Sequence, residues 1–134
     1  MNKTILMTAT IASLAVNVMA TNNNTLAGTD NTITATSHSS MVSGYQNTID
    51  ANNALAFGTN NTVTGENGFA GGNNATAAGR NSFAFGSHAE SLVEYTVAIG
   101  NQARTASYDS VAIGNGAFVS GESSVAFGRS NNVT

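Results

Sequence analysis

Phe83-Ala84-Phe85-Gly86, Val97-Ala98-Ile99-Gly100, Val111-Ala112-Ile113-Gly114 and Val125-Ala126-Phe127-Gly128 follow one another at a fixed interval in the second half of the chain. The same phase runs back through Phe69-Ala70-Gly71-Gly72, Leu55-Ala56-Phe57-Gly58 and Met41-Val42-Ser43-Gly44. Gly44, Gly58, Gly72, Gly86, Gly100, Gly114 and Gly128 thus recur every fourteen residues. A strict period of this kind marks a solenoid, in which each repeat is one supersecondary unit stacked on the next. Large, small, large alternation makes each triplet a strand, with its outer pair on one face and its central alanine on the other.

Three residues after each glycine a second extended segment appears, for example Asn47-Thr48-Ile49, Asn61-Thr62-Val63, Ala75-Thr76-Ala77, Ala103-Arg104-Thr105 and Ala117-Phe118-Val119. Small residues at Ala35, Ala51, Gly65, Gly79, Ser107 and Gly121 then separate it from the next triplet. Two short strands and two tight turns predict one flattened coil per repeat, with glycine where a turn needs positive φ or close backbone approach. The repeats run 29–44, 45–58, 59–72, 73–86, 87–100, 101–114 and 115–128, with a partial one over 129–134. Parallel stacking at about 4.8 Å makes seven such coils a rod of roughly 34 Å. On this reading Val111, Ile113 and Val119 fill a thin interior. Ala56, Ala70, Ala84, Ala98, Ala112 and Ala126 then form a smooth apolar stripe outside, expected to be an interface between copies.

Composition supports a repetitive rather than a conventional core. Of 134 residues only 8% are charged, against the usual quarter, and there is no Cys, Pro or Trp. Residues 1–20 read as a signal peptide: Lys3 supplies the positive start, Ile5 to Val16 the apolar stretch, and Val18-Met19-Ala20 the cleavage pattern. The mature chain, 21–134, is then exported without the disulfides that small exported domains often use. Arg80, Arg104 and Arg129 stand against seven acidic residues, a balance that disfavours nucleic acid and anionic membranes as partners. No later stretch approaches the roughly 20 apolar residues of a membrane-spanning helix.

Chemistry is sparse. His38 and His88 fall at different phases of the repeat, and no Cys or clustered carboxylate accompanies them as metal ligands. Asp30, Asp50, Glu66, Glu90, Glu94, Asp109 and Glu122 are scattered, Glu90 and Glu94 coming closest to a pair. The Gly65 to Gly72 stretch lacks the Lys-Ser or Lys-Thr of a phosphate loop. These features predict no enzyme, no cofactor and no metal site. Phe118 and Tyr108 are expected at the surface as contact residues or strand fillers.

Asn81-Ser82-Phe83-Ala84-Phe85-Gly86, Asp109-Ser110-Val111-Ala112-Ile113-Gly114 and Ser123-Ser124-Val125-Ala126-Phe127-Gly128 resemble the Asn-Ser-Val-Ala-Ile-Gly pattern of the head of YadA-like trimeric autotransporter adhesins. The resemblance covers the chain from about residue 25 onward. It implies an all-β, left-handed parallel β-roll, three chains packed as a homotrimer, display at a bacterial outer membrane and no cofactor. It also implies attachment to host extracellular matrix such as collagen, fibronectin or laminin, and autoagglutination. It names no ligand-binding residue.

Several departures carry their own expectations. Leu26-Ala27-Gly28 aligns with Val42-Ser43-Gly44, so the coil between has two extra residues and should bulge near His38. Leu92-Val93-Glu94-Tyr95 replaces small turn residues, so that turn should be displaced outward. Gly71 fills a slot elsewhere held by Phe or Ile and should thin the interior. The sequence closes on Asn131-Asn132-Val133-Thr134, within another coil and without the family's neck, stalk and membrane region. That is the pattern of a fragment, a remnant or a small exported protein, secreted or periplasmic if it carries no anchor. Three further functions compete: a structural spacer, an ice-binding solenoid built on Thr32, Thr48, Thr62 and Thr76, and a solenoid acyltransferase, whose six-residue period does not match.

Overall fold

Residues 23–34 and 36–134 are described in the computed structural model; the predicted signal peptide and Ala35 lie outside the described residues. Among these described residues the fold is two parallel sheets of eight strands each. The first holds the triplet strands β1 (Thr25–Thr29), β3 (Met41–Tyr45), β5 (Leu55–Thr59), β7 (Phe69–Asn73), β9 (Phe83–Phe85), β11 (Val97–Ile99), β13 (Val111–Ile113) and β15 (Val125–Phe127). The second holds β2 (Thr32–Ile33), β4 (Thr48–Ile49), β6 (Thr62–Val63), β8 (Thr76–Ala77), β10 (Glu90–Ser91), β12 (Arg104–Thr105), β14 (Phe118–Val119) and β16 (Asn132–Val133). Strands pair only with the same strand one coil away, so Ala84, Ala98, Ala112 and Ala126 stand side by side. Over the described residues the chain is an all-β parallel solenoid of about eight coils.

From Tyr45 onward each coil consists of two seven-residue halves. Backbone φ is positive at Gln46, Asn53, Asn60, Asn67, Asn74, Asn81, His88, Tyr95, Gln102, Asp109, Gly116, Ser123 and Ser130, with values from 52° to 65°. This left-handed conformation costs an ordinary L residue roughly 1 kcal/mol or more, and Asn tolerates it best after Gly. Asparagine accordingly fills five successive corners from Asn53 to Asn81. The glycines of the fourteen-residue phase answer a different demand. At Gly114 φ is 134°, and a Cβ would lie 2.2 Å from the carbonyl oxygen of Gly128 in the next coil. Both reasons for glycine, positive φ and close approach, therefore act at one residue.

An asparagine column decides how far the first sheet extends. Asn61 Nδ2 donates to Phe57 O in its own coil (2.8 Å) and to Gly72 O in the next (3.0 Å), while Oδ1 accepts the Ala75 N–H (2.8 Å). Asn47 repeats this with Ser43, Gly58 and the Asn61 N–H, and Asn31 with Ala27, Gly44 and the Asn47 N–H. The pairings these three residues clamp, β1 with β3, β3 with β5 and β5 with β7, each run five residues. Beyond them the column is Ala75, Ala89, Ala103 and Ala117, and the pairing shrinks to three residues. Without the amide the turn closes on itself, Ala103 N–H donating to Gly100 O at 3.4 Å and Ala117 N–H to Gly114 O at 3.3 Å.

The interior takes the opposite face of the triplet from the one expected. Ala56, Ala70, Ala84, Ala98, Ala112 and Ala126 are wholly buried, so the predicted outer stripe lies inside the coil. Val111 and Ile113, assigned to the interior, stand half-exposed outside, while Val119 is buried as expected. Tight turns at both edges hold the two sheets so close that only small or slender side chains fit between them. One coil, for example, turns in Thr96, Ala98, Ala103 and Thr105. Here the core is polar: Ser91 Oγ lies 2.7 Å from Thr96 Oγ1 and 3.4 Å from Thr105 Oγ1, and Thr96 Oγ1 donates to Val93 O at 2.6 Å. This layer falls between one apolar cluster running from Ile33 to Ala89 and another from Ala112 to Val133.

The irregular coils sort out differently. The two extra residues lie between β2 and β3, in the segment that contains exposed His38, whose backbone N–H is held by Asn52 Oδ1 at 2.9 Å. The Leu92 to Tyr95 turn is not displaced, because Tyr95 adopts the same left-handed corner (φ 59°) and its N–H donates to Arg80 O at 3.0 Å. Nor does Gly71 thin the interior. Its slot faces outward, and a Cβ there would come within 2.8 Å of the Phe85 ring, which occupies the space.

Candidate binding surface

With the alanines inside, the flanking residues of the triplets cover the outer face of the first sheet. Leu55, Phe57, Phe69, Phe83, Val97, Ile99, Val111 and Ile113 are half-exposed there, and Phe85, Val125 and Phe127 are 49%, 60% and 72% exposed. The strict register aligns them in two parallel rows. Phe69 and Phe83 stack with ring centroids 4.5 Å apart, and Phe57 and Phe85 lean on Phe69 at 6.0 and 6.3 Å. The rows weaken toward β1, where Thr25, Ala27 and, on β3, Ser43 take the same places. A continuous apolar strip of this kind has the character of an interaction surface.

The outer face of the second sheet is polar. Thr32, Thr48, Thr62 and Thr76 are in register, and the column then continues as Glu90, Arg104, Phe118 and Asn132, so the threonine array stops halfway. Arg104 closes on Glu90 at 2.8 Å and lies over the Phe118 ring at 5.6 Å, which makes Phe118 part of a local charge stack.

The remaining singled-out residues are at the turns. Glu90 and Glu94 are not brought together: Glu90 pairs with Arg104, and Glu94 lies 3.6 Å from Arg80 on the turn edge. His38 Nδ1 lies 3.2 Å from Asn52 Oδ1 and His88 Nδ1 2.9 Å from Ser87 Oγ, both at the surface. Gly44, Gly58, Gly72, Gly86, Gly100 and Gly114 are backbone-contact residues, each facing the next coil's carbonyl, and present no ligand group. Among the described residues no three His, Cys, Asp or Glu side chains gather as a metal site, and no helix is long and apolar enough to cross a membrane.

The apolar rows were missed because alternation gives two faces without saying which is inside. One signal could have found them. Phenylalanines on neighbouring coils, at Phe69 and Phe83, would stack about 4.8 Å apart, and a strand layer already facing Val63 and Ile49 has no room for such a pile. The columns at Ala75, Ala89, Ala103 and Ala117 and at Ala54, Gly68, Ser82, Thr96 and Ser110 carry the complementary sign, since these residues are small or slender and all are buried.

No curated protein matches the chain. The family model for the YadA head domain repeat matches residues 50–75, 72–89, 94–117 and 106–131, more than half of the chain. The matched span is the regular part of the solenoid, where triplet, glycine and corner recur without insertion. By these repeats the chain belongs to the YadA head family, the heads of surface-exposed trimeric adhesins.

Proposed function

We propose that this chain is an adhesive head that works as a homotrimer, with the apolar outer face of the first sheet buried between protomers. The observation that carries this reading is the pair of exposed rows Leu55/Phe69/Phe83/Val97/Val111/Val125 and Phe57/Phe85/Ile99/Ile113/Phe127. Burying them removes apolar area from water at about 25 cal/mol per Å². The interface is thus made by the flanking residues and not by the alanine stripe.

The assembled head presents its turn edges and its polar second sheet to the outside, at a bacterial surface reached through the leader over residues 1–20. Its ligands are host matrix proteins such as collagen, fibronectin or laminin, and heads on neighbouring cells for autoagglutination. Function is multivalent attachment: each contact is weak, and linking three copies converts later contacts into intramolecular ones with raised effective concentration.

The test uses residues 21–134 alone and fused to a short trimeric coiled coil, followed by light scattering, circular dichroism and retention on matrix-coated surfaces. We expect a folded trimer that is retained, and a double substitution Ile99→Asn/Ile113→Asn that keeps the β signal while losing the trimer. A monomer of unchanged β content in the unfused form, or a trimer retained on no matrix protein and no other cell, would refute the proposal.

A further inference from the structure

The two turn edges of the solenoid differ in chemistry. The edge after the first-sheet strands carries Tyr45-Gln46, Thr59-Asn60, Asn73-Asn74, Ser87-His88, Asn101-Gln102 and Asn115-Gly116, without a formal charge from Tyr45 to Gly116. The edge after the second-sheet strands carries Asn52-Asn53, Glu66-Asn67, Arg80-Asn81, Glu94-Tyr95, Tyr108-Asp109 and Glu122-Ser123. The stacking of its turns is fixed by backbone bonds: Tyr95 N–H to Arg80 O at 3.0 Å, Asp109 N–H to Glu94 O at 3.4 Å and Ser123 N–H to Tyr108 O at 3.0 Å. Tyr95 and Tyr108 therefore sit on adjacent coils, and they are 47% and 53% exposed.

Arg80 is committed locally. Its Nη2 donates to Tyr95 Oη at 2.8 Å and lies 3.6 Å from Glu94, and its guanidinium rests 5.6 Å from the Tyr95 ring centroid. It steadies Tyr95 on the edge and neutralises Glu94. Glu66, Asp109 and Glu122 have no ion-pair partner among the described residues. Two exposed aromatic rings bordered by unpaired carboxylates accept cations twice over, through the ring face and through the carboxylate. The Arg80 contact is an example of the first mode within the chain itself.

We propose that this edge, from Glu66 to Glu122 and centred on Tyr95 and Tyr108, is the contact surface for a polypeptide segment bearing lysine or arginine. The proposal rests on the adhesive reading above and deepens it by assigning the edge and the partner's chemistry. Tyrosine and arginine are the residues that concentrate binding energy in interfaces, and the edge lies off the apolar face that copies of the chain cover.

The experiment uses the full chain and a labelled peptide of alternating arginine and glycine, with its glutamate counterpart as control, read by fluorescence anisotropy over a range of salt. Tyr95→Asn/Tyr108→Asn is the deciding variant. Asn53, Asn67 and Asn81 hold the corner of Tyr95, and Asn52 stands in the column of Tyr108, so the fold has places for these residues. We expect the arginine peptide alone to bind, more weakly with rising salt, and the double variant to weaken it about tenfold through two lost cation–aromatic contacts. Gln46→Ala/Gln102→Ala, on the opposite edge, should leave binding unchanged. Absence of arginine-peptide binding, or binding that the tyrosine variant does not alter, overturns the assignment. The matrix-retention assay separates the two readings: a head that is retained equally well as wild type and tyrosine variant remains an adhesin with a different contact edge.

Discussion

Alanine at Gly114 and alanine at Gly116 differ by two positions in sequence and should differ severalfold in cost. At Gly114 φ is 134° and a Cβ would sit 2.2 Å from Gly128 O and 2.6 Å from Gly128 C, where ordinary contact begins at 3.4 Å. The overlap cannot be relieved by opening the stack, because Gly128 N–H donates to Ile113 O at 2.8 Å and Val111 N–H to Ser124 O at 3.0 Å across the same gap. Backbone strain of about 1–3 kcal/mol adds to overpacking of about 1–3 kcal/mol, so Gly114→Ala should cost about 4 kcal/mol. At Gly116 φ is 65° and the nearest atom to a Cβ is Ser130 Oγ at 3.6 Å. Only the left-handed penalty of about 1 kcal/mol remains. Gly116→Asn should recover most of it, since Asn60 and Asn74 occupy the same corner.

The assay is urea unfolding at fixed chain concentration, because assembly adds to apparent stability, followed by hydrogen exchange to place the damage. A coil touches only its neighbours, so protection should fall first between Val111 and Gly128 while β3 to β7 stay protected. Equal costs for the two alanines, or a loss spread evenly over all coils, would show that the glycine ladder is not the close-contact seam inferred from its geometry.

Three other tests probe the remaining layers. Ser82→Ala, with or without Thr105→Val, should raise stability by up to about 1 kcal/mol in urea unfolding, because Ser82 Oγ is buried without a partner and Thr105 Oγ1 has only contacts of 3.4 and 3.5 Å. Asn61→Ala should cost about 2 kcal/mol in the same measurement and release the amide of Ala75 to hydrogen exchange, since Asn61 Oδ1 accepts that N–H while Nδ2 donates to Gly72 O. Ala98→Leu, at a wholly buried position, should destabilise by about 1–3 kcal/mol, whereas a residue on an outer interface stripe would have accepted the change; retention of full stability would restore the stripe to the surface.

Much of this fold is legible in the sequence because a solenoid repeats its constraints. The glycine phase gives the coil length, the triplets give the first sheet, and Asn61-Thr62-Val63 and its counterparts give the second. Even the two-residue insertion before Met41 can be located by aligning Gly28 with Gly44. The inside–outside assignment is a different matter. Period-two alternation is symmetric, and the choice between Ala112 and its flanks Val111 and Ile113 is made by how close two tight turns force the sheets. Hydrophobicity alone favours the larger residues and gives the wrong face.

The seven-residue half-period was hidden for a related reason. Its corners are held by Asn74, Asn81, His88, Tyr95, Gln102, Asp109 and Gly116, residues with little in common except a backbone φ between 53° and 65°. Where the corner is Asn, the residue suits the conformation. Where it is Tyr95, the backbone strain is borne by the stack of coils on either side, and the side chain is available for something other than making a turn. Tyr95 is the bulkiest of these corner residues, and it is bonded to Arg80 and 47% exposed. On the proposal above, the regular positions specify the scaffold and this departure supplies the contact.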